Sequence, residues 1–200
     1  MKQVDADPAT LAAFAVVMVC WLAFGLTFLF RLFKRSPGTP ETRKSGVSSL
    51  GIALQSVAYF LVWLFRRPLY PIVAMPLAAD IAVSALAVIF AVGSIWLVQV
   101  ALRVLGRQWA FRARLVEGHK LVTEGPYSLV RNPIYTGMFG MLLATGLVAT
   151  RWPAFIVAIV IFLIGTVIRV RSEEHLLREQ FGADFDAYAN RVRAFIPGIY

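Results

Sequence analysis

The stretch HKLVTEGPYSLVRNPIYTG, residues 119–137, gathers more chemical capability than a connecting loop needs. His119 offers a titratable imidazole and Arg131 a fixed cation, while Tyr127 and Tyr135 offer aromatic faces with hydroxyls. Gly125-Pro126 and Asn132-Pro133 are turn signals, and Pro133 suits the first position of a helix. Non-helical backbone of this kind can present N–H and C=O groups to a ligand where protein buries it or a cavity is lined. Further along, Arg169, Arg171, Glu173 and Glu174 supply complementary charge. On a helix, Arg169 and Glu173 stand at i,i+4 and could form an ordinary pair worth about 0.3 kcal/mol. Ionisable groups at the end of an apolar run are equally functional candidates. By themselves, these residues argue for a buried polar ligand and leave its identity open. Metal chemistry is poorly provided for, with two histidines and a single cysteine. That cysteine, Cys20, excludes an intrachain disulfide and reads as a packing residue in an apolar run.

The elements that must position these groups are apolar. Of 200 residues, 59% are hydrophobic and 16% charged, and the mean hydropathy is +0.71. This composition points to a polytopic integral membrane protein of the all-α class, since a membrane β-barrel would show short alternating segments instead. Five charge-free stretches qualify or nearly qualify as spans: 11–30, 47–65, 81–102, 133–150 and 152–168. The last two are short and separated only by Arg151, which predicts a tight helical hairpin. The first stretch is longer than the core of a signal peptide and ends on Arg31, Lys34 and Arg35, which predicts a retained helix. In the helix from Pro133, Thr136, Gly140 and Ala144 form a small-xxx-small ladder expected to seat the hairpin.

The net charge of +9 is distributed unevenly. Residues 31–46 carry five bases and Glu41, and residues 103–132 carry six bases against Glu117 and Glu124, so each connection contributes +4. Bases beside spans favour the cytoplasm, which predicts the N-terminus outside and the C-terminal segment inside, although Arg66 and Arg67 then fall on the outer side. Anionic lipid explains the clustering better than nucleic acid, so the expected partners are the bilayer and not a polynucleotide.

The chain divides at about residue 102. Residues 1–102 read as three transmembrane helices with few polar groups, among them Gln55, Ser56, Ser84, Ser94 and Gln99. Residues 103–200 hold the polar connection, the hairpin and a proline-free tail in which Leu176, Leu177, Phe181, Phe185, Tyr188 and Val192 recur at helical spacing. Gly182 predicts a break in this tail, with Asp184 as a possible cap on the restart. An amphipathic helix lying on the membrane accounts for the pattern, as does a tail folding back to cover a site.

GRQW (106–109), HKLVTEGPYSLVRNPIYTG and RVRSEEHLLREQFGADFDAYANRVRAFIPG (169–198) together resemble the isoprenylcysteine carboxyl methyltransferase family, with its related membrane phospholipid methyltransferases. The family pattern runs His-x-Leu-Val-Thr-x-Gly-x-Tyr, then Arg-His-Pro-x-Tyr-x-Gly. An apolar hairpin, paired glutamates, Phe-Gly and a tyrosine-containing helix follow. The likeness covers about the last hundred residues. It implies transfer of a methyl group from S-adenosylmethionine to a lipophilic or amphiphilic substrate, such as the carboxylate of an isoprenylcysteine, on the cytoplasmic side and without a metal. Carried over by position, His119, Leu121, Val122 and Gly125 line the cofactor, with Tyr127, Arg131, Asn132, Tyr135 and Glu173 completing its site. Arg169 steadies an anionic substrate group and works with Glu174, which can also accept a proton from an amine or thiol acceptor. The family's Arg-His-Pro reads Arg131-Asn132-Pro133 here, so the central side chain can bond but cannot titrate. A membrane reductase of the steroid-reductase type using NADPH, or a non-catalytic protein keeping the site's shape, would use the same half of the chain.

Overall fold

The apolar runs become five helices in the computed structural model, which describes residues 8–33, 41–44, 47–67, 77–106, 114–116 and 121–195. They are α1 (Pro8–Phe33), α2 (Ser48–Leu64), α3 (Leu77–Leu105), α4 (Pro133–Ala149) and α5 (Trp152–Phe181). A short sixth helix, α6, spans Ala183–Arg191. Among the described residues three helices, α1, α3 and α5, are long and apolar enough to cross a membrane. The other two, α2 and α4, have 17 residues each, about 26 Å at ~1.5 Å per residue. The hydrocarbon core of a bilayer is about 30 Å thick. On length alone, then, the expected five spans reduce to three plus two shorter apolar helices.

Among the described residues the helices are joined by one strand feature that periodicity did not reveal. Strands β1 (Glu41–Lys44) and β2 (Arg114–Val116) pair antiparallel, Lys44 opposite Arg114 and Glu41 opposite Val116. This ribbon joins the two basic connections at one end of the helices, where Arg31 also donates to the Gly106 carbonyl at the end of α3 (3.2 Å). The opposite end is closed by a second clasp. Arg66 bridges Thr150, and Arg67 donates from its backbone N–H to the Ala149 carbonyl and from its guanidinium to that of Leu147, both at 2.8 Å. Arg67 thereby fills carbonyls that the end of α4 leaves open.

Packing around α4 differs from the expected hairpin. A tight turn at Arg151 does join α4 to α5, yet α4 packs chiefly along α3 and α5 chiefly along α2. Side-chain size decides this. A Cβ on Gly140 would lie 2.3 Å from Ser94 Oγ, and one on Gly137 would lie 2.5 Å from Val98 Cγ2, both on α3. The small-residue ladder therefore seats α4 against α3, while Gly146 alone makes room for the Phe155 ring of α5. Between α2 and α5 the close approach is at Gly51 and Gly165, where a Cβ on Gly165 would meet the Gly51 carbonyl at 2.9 Å.

As a result α4 is enclosed on both sides, by Val17, Phe24, Val98 and Leu102 on one and by Val62, Phe155 and Phe162 on the other. This explains why it is apolar all round instead of amphipathic. The large exposed hydrophobics instead lie on the outer helices, including Leu22 and Phe30 on α1, Phe60 on α2, Ile89 and Trp96 on α3, and Ile156 and Ile164 on α5. A belt of that kind needs lipid against it, and the chain is built for a bilayer.

Candidate functional site

Helix α5 does not stop where its apolar run stops. No proline or glycine intervenes between Thr166 and Phe181, so the helix continues to Gly182, whose φ of +50° ends it in a conformation that favours glycine. Arg169, Glu173 and Glu174 therefore ride on the same rod as the membrane-facing residues. After Gly182, α6 folds back, beginning at Ala183 with Asp184 in its first turn and not at the cap.

The returning chain lies on the polar segment. Val130 and Arg193 form a parallel bridge, Arg131 N–H donates to the Arg193 carbonyl at 2.8 Å, and Asn132 N–H donates to that of Ala194 at 3.0 Å. Side chains repeat the connection: Asn132 Nδ2 donates to the Ala194 carbonyl (2.8 Å) and Thr136 Oγ1 to that of Phe195 (2.6 Å). Tyr188 O–H on α6 donates to the Tyr127 carbonyl at 2.6 Å. Of the two explanations for the tail, the fold-back one describes this structure.

Arg131 is the hub of the closure. Its Nε and Nη2 both reach Glu174 Oε1 at 2.8 Å, and Nη1 donates to the carbonyls of Ala189 (2.9 Å) and Val192. The sequence comparison puts Glu174 beside Arg169; here Glu174 faces Arg131, and Arg169 faces Glu173 at 3.8 Å. That second pair is the i,i+4 contact expected from spacing, but its setting is not an ordinary surface. Arg169 is only 5% exposed, its guanidinium carbon stands 4.6 Å from the centre of the Tyr135 ring, and Nη1 donates to Gln55 Oε1 at 3.0 Å. Tyr135 O–H in turn donates to Glu173 Oε1. Two acid–base pairs thus sit side by side, with Tyr135, a buried ring on α4, touching both Arg169 and Glu173.

The aromatic hydroxyls near this cluster remain protonated at neutral pH. Burial pushes the Tyr188 phenol up to about 12, with the Arg131 cation opposing and Glu174 adding a little. Burial also raises Tyr127, reinforced by Glu173 and Tyr188. Tyr188 therefore stays a donor that holds α6 down.

Three further residues assigned by resemblance are Leu121, Val122 and Gly125. Leu121 and Val122 are half-buried in backbone that is neither helix nor strand, and Gly125 is exposed with φ +61° at the start of a 3-10 turn (Gly125–Ser128). Only Gly tolerates that backbone without strain. His119 and residues 107–109 of GRQW lie outside the described residues. Among the described residues no three His, Cys, Asp or Glu side chains come together as a metal would need. Sequence reasoning missed Gln55. Its one signal was a carboxamide inside a charge-free run, a position where polar groups usually have a partner.

The chain is similar in part to known proteins. A sequence model of the phospholipid methyltransferase family matches residues 82–184. The nickel-cobalt-cadmium resistance protein NccN of Alcaligenes xylosoxydans xylosoxydans is 35% identical over 101 residues, covering 49% of this chain and 46% of that protein. Protein-S-isoprenylcysteine O-methyltransferase B of Arabidopsis thaliana is 34% identical over 86 residues, 43% of this chain and 44% of that protein. The cobalt-zinc-cadmium resistance protein CzcN of Cupriavidus metallidurans is 34% identical over 101 residues, 49% and 45% respectively. In each case the chain spans less than half of the relative's length. The family match, by contrast, takes in just over half of the 200 residues and includes Tyr127, Arg131, Tyr135, Arg169, Glu173 and Glu174. The chain belongs to the phospholipid methyltransferase family.

Proposed function

We propose that the protein is an integral membrane methyltransferase that moves a methyl group from S-adenosylmethionine to an amphiphile. The observation that carries this reading is the Tyr135–Glu173–Arg169 cluster, which lies inside the family-matched segment and is fixed by α4, α5 and α2 together. Its chemistry fits the cofactor: a glutamate beside a buried tyrosine suits a cationic sulfonium and an amino group. The irregular backbone of residues 121–125 has N–H and C=O groups to offer a ligand.

When bound, the cofactor supplies a methyl group already activated by positive sulfur, so little is asked of the protein beyond position and electrostatics. Arg169, immobilised by Gln55 and the Tyr135 ring, orients an anionic head group. A carboxylate acceptor needs no proton removed; from an amine or thiol, the half-buried Glu173 receives the proton. Glu174 acts with Arg131 to hold the tail closed over the segment. In this reading residues 1–102 are the membrane scaffold and residues 103–200 the methyltransferase core. All five helices cross, α4 within a protein sheath that excuses its length. The ribbon end faces the cytoplasm, with the N-terminus outside and the acceptor drawn from the bilayer.

Purified protein in lipid nanodiscs should bind S-adenosylmethionine saturably, with S-adenosylhomocysteine competing. It should also label an amphiphile in a lipid extract supplied with methyl-labelled cofactor. Tight NADPH binding with no affinity for S-adenosylmethionine would overturn the proposal in favour of a reductase.

A further inference from the structure

Gln55 lies in the half of the chain that looks chemically silent and outside the family-matched segment. It is 2% exposed, and both ends of its carboxamide are used. Nε2 donates to Thr166 Oγ1 at 2.8 Å, which turns Oε1 toward Arg169 to accept from Nη1 at 3.0 Å. One turn earlier on the same face of α2, Gly51 clears the space that the arginine stem occupies. A Cβ there would lie 2.4 Å from Arg169 Cγ and 3.3 Å from Cδ. Gly51 and Gln55 thus form a slot and a catch for one side chain, and Tyr135 closes it from α4.

We propose that Gln55 is a positioning residue: it acts through Arg169 to set where the acceptor's anionic group docks, and so helps to select acids over neutral amphiphiles. A neutral catch is what this requires. A carboxylate at position 55 would add a second negative charge to the one Glu173 already brings, whereas an amide holds the guanidinium's direction and adds none. On the other side Glu173 contacts Arg169 at only 3.8 Å, is engaged by Tyr135, and keeps 28% exposure, so the cluster opens toward solvent there. An anion engaging Arg169 there would share it with Glu173 and leave the Gln55 bond in place.

The inference rests on the methyltransferase reading for its biological meaning, but its test does not need turnover. N-acetyl-S-farnesylcysteine and its methyl ester, an acid and its uncharged counterpart, serve as probes for wild-type protein in nanodiscs, read by competition binding. Wild type should prefer the acid. Gln55→Leu should cut the preference about tenfold, as expected when a charged group loses a buried partner. Gln55→Glu should abolish the preference, and Arg169→Ala should also abolish it. In the Arg169→Ala background, Gln55→Leu should change the preference no further, because residues acting through one another are not additive. S-adenosylmethionine affinity, measured on the same samples, should be unaltered by Gln55→Leu. No acid preference in wild type, an unchanged preference in Gln55→Leu, or additive losses in the double variant would overturn the inference. Absent cofactor binding in wild type would instead sink the methyltransferase reading, leaving the acid-over-ester result to decide Gln55 on its own.

Discussion

Arg131 and Arg169 are both arginines beside glutamates, yet their surroundings give them different work. Arg131 is bound by Glu174 and by two carbonyls of the returning tail, so its removal should cost stability before it costs chemistry. Arg131→Ala would strand the partly buried Glu174 and should lower unfolding stability by about 3 kcal/mol. A lower melting temperature and faster hydrogen exchange in α6 would report this. Asn132→Ala removes one bond to the Ala194 carbonyl and should cost about 1 kcal/mol, loosening the same segment. Where the family pattern has an imidazole, this chain has a carboxamide that bonds the tail. Glu173→Gln is the contrasting case. The amide keeps shape and can still accept from Tyr135 and face Arg169, so melting should fall less than in Arg131→Ala while kcat/KM with an amine or thiol acceptor falls about 100-fold. Equal loss with a carboxylate acceptor would show that Glu173 serves electrostatics and not proton transfer.

Among the elements, the approach of α2 to α5 matters most. Glycines at 51 and 165 let two backbones come close enough for a side chain of one helix to reach a side chain of the other in the right direction. Gly51→Val should displace the Arg169 stem and push the helices apart, costing about 2 kcal/mol from overpacking. Loss of acid preference together with a lower melting temperature would be seen, and the same substitution at the open Gly93 should do neither. Helix α5 adds a lever of its own. Because it runs unbroken from Trp152 to Phe181, a shift of the membrane-facing half carries Arg169 and Glu173 with it.

For the molecule as a whole, connections alternate between two ends: ribbon, polar segment and tail at one, the Arg66–Thr150 clasp at the other. Both Asp186 and Arg66 are exposed. Asp186→Cys and Arg66→Cys should therefore react with a membrane-impermeant maleimide from opposite sides, the first from the cytoplasm. Cys20 is buried and should stay silent. Labelling of both from the same side would contradict the proposed topology.

Much of this was legible from the chain alone because burial in lipid leaves long uncharged runs that no soluble fold would tolerate. Helix positions, the Pro133 start and the Gly182 break all follow from local patterns of that kind. Partnerships are different, since periodicity gives each helix a face but not a neighbour. That α4 turns its small residues to α3, and that Glu174 answers Arg131 while Arg169 answers Glu173, depend on how separate helices cross. The ribbon between the basic connections was hidden for the same reason, its two short strands being far apart in the chain. Gln55 shows the division most clearly. Composition could mark it as a polar residue in an apolar run, but its function is a direction in space. Only the packing of α2 against α5 supplies the arginine 114 residues away toward which it points.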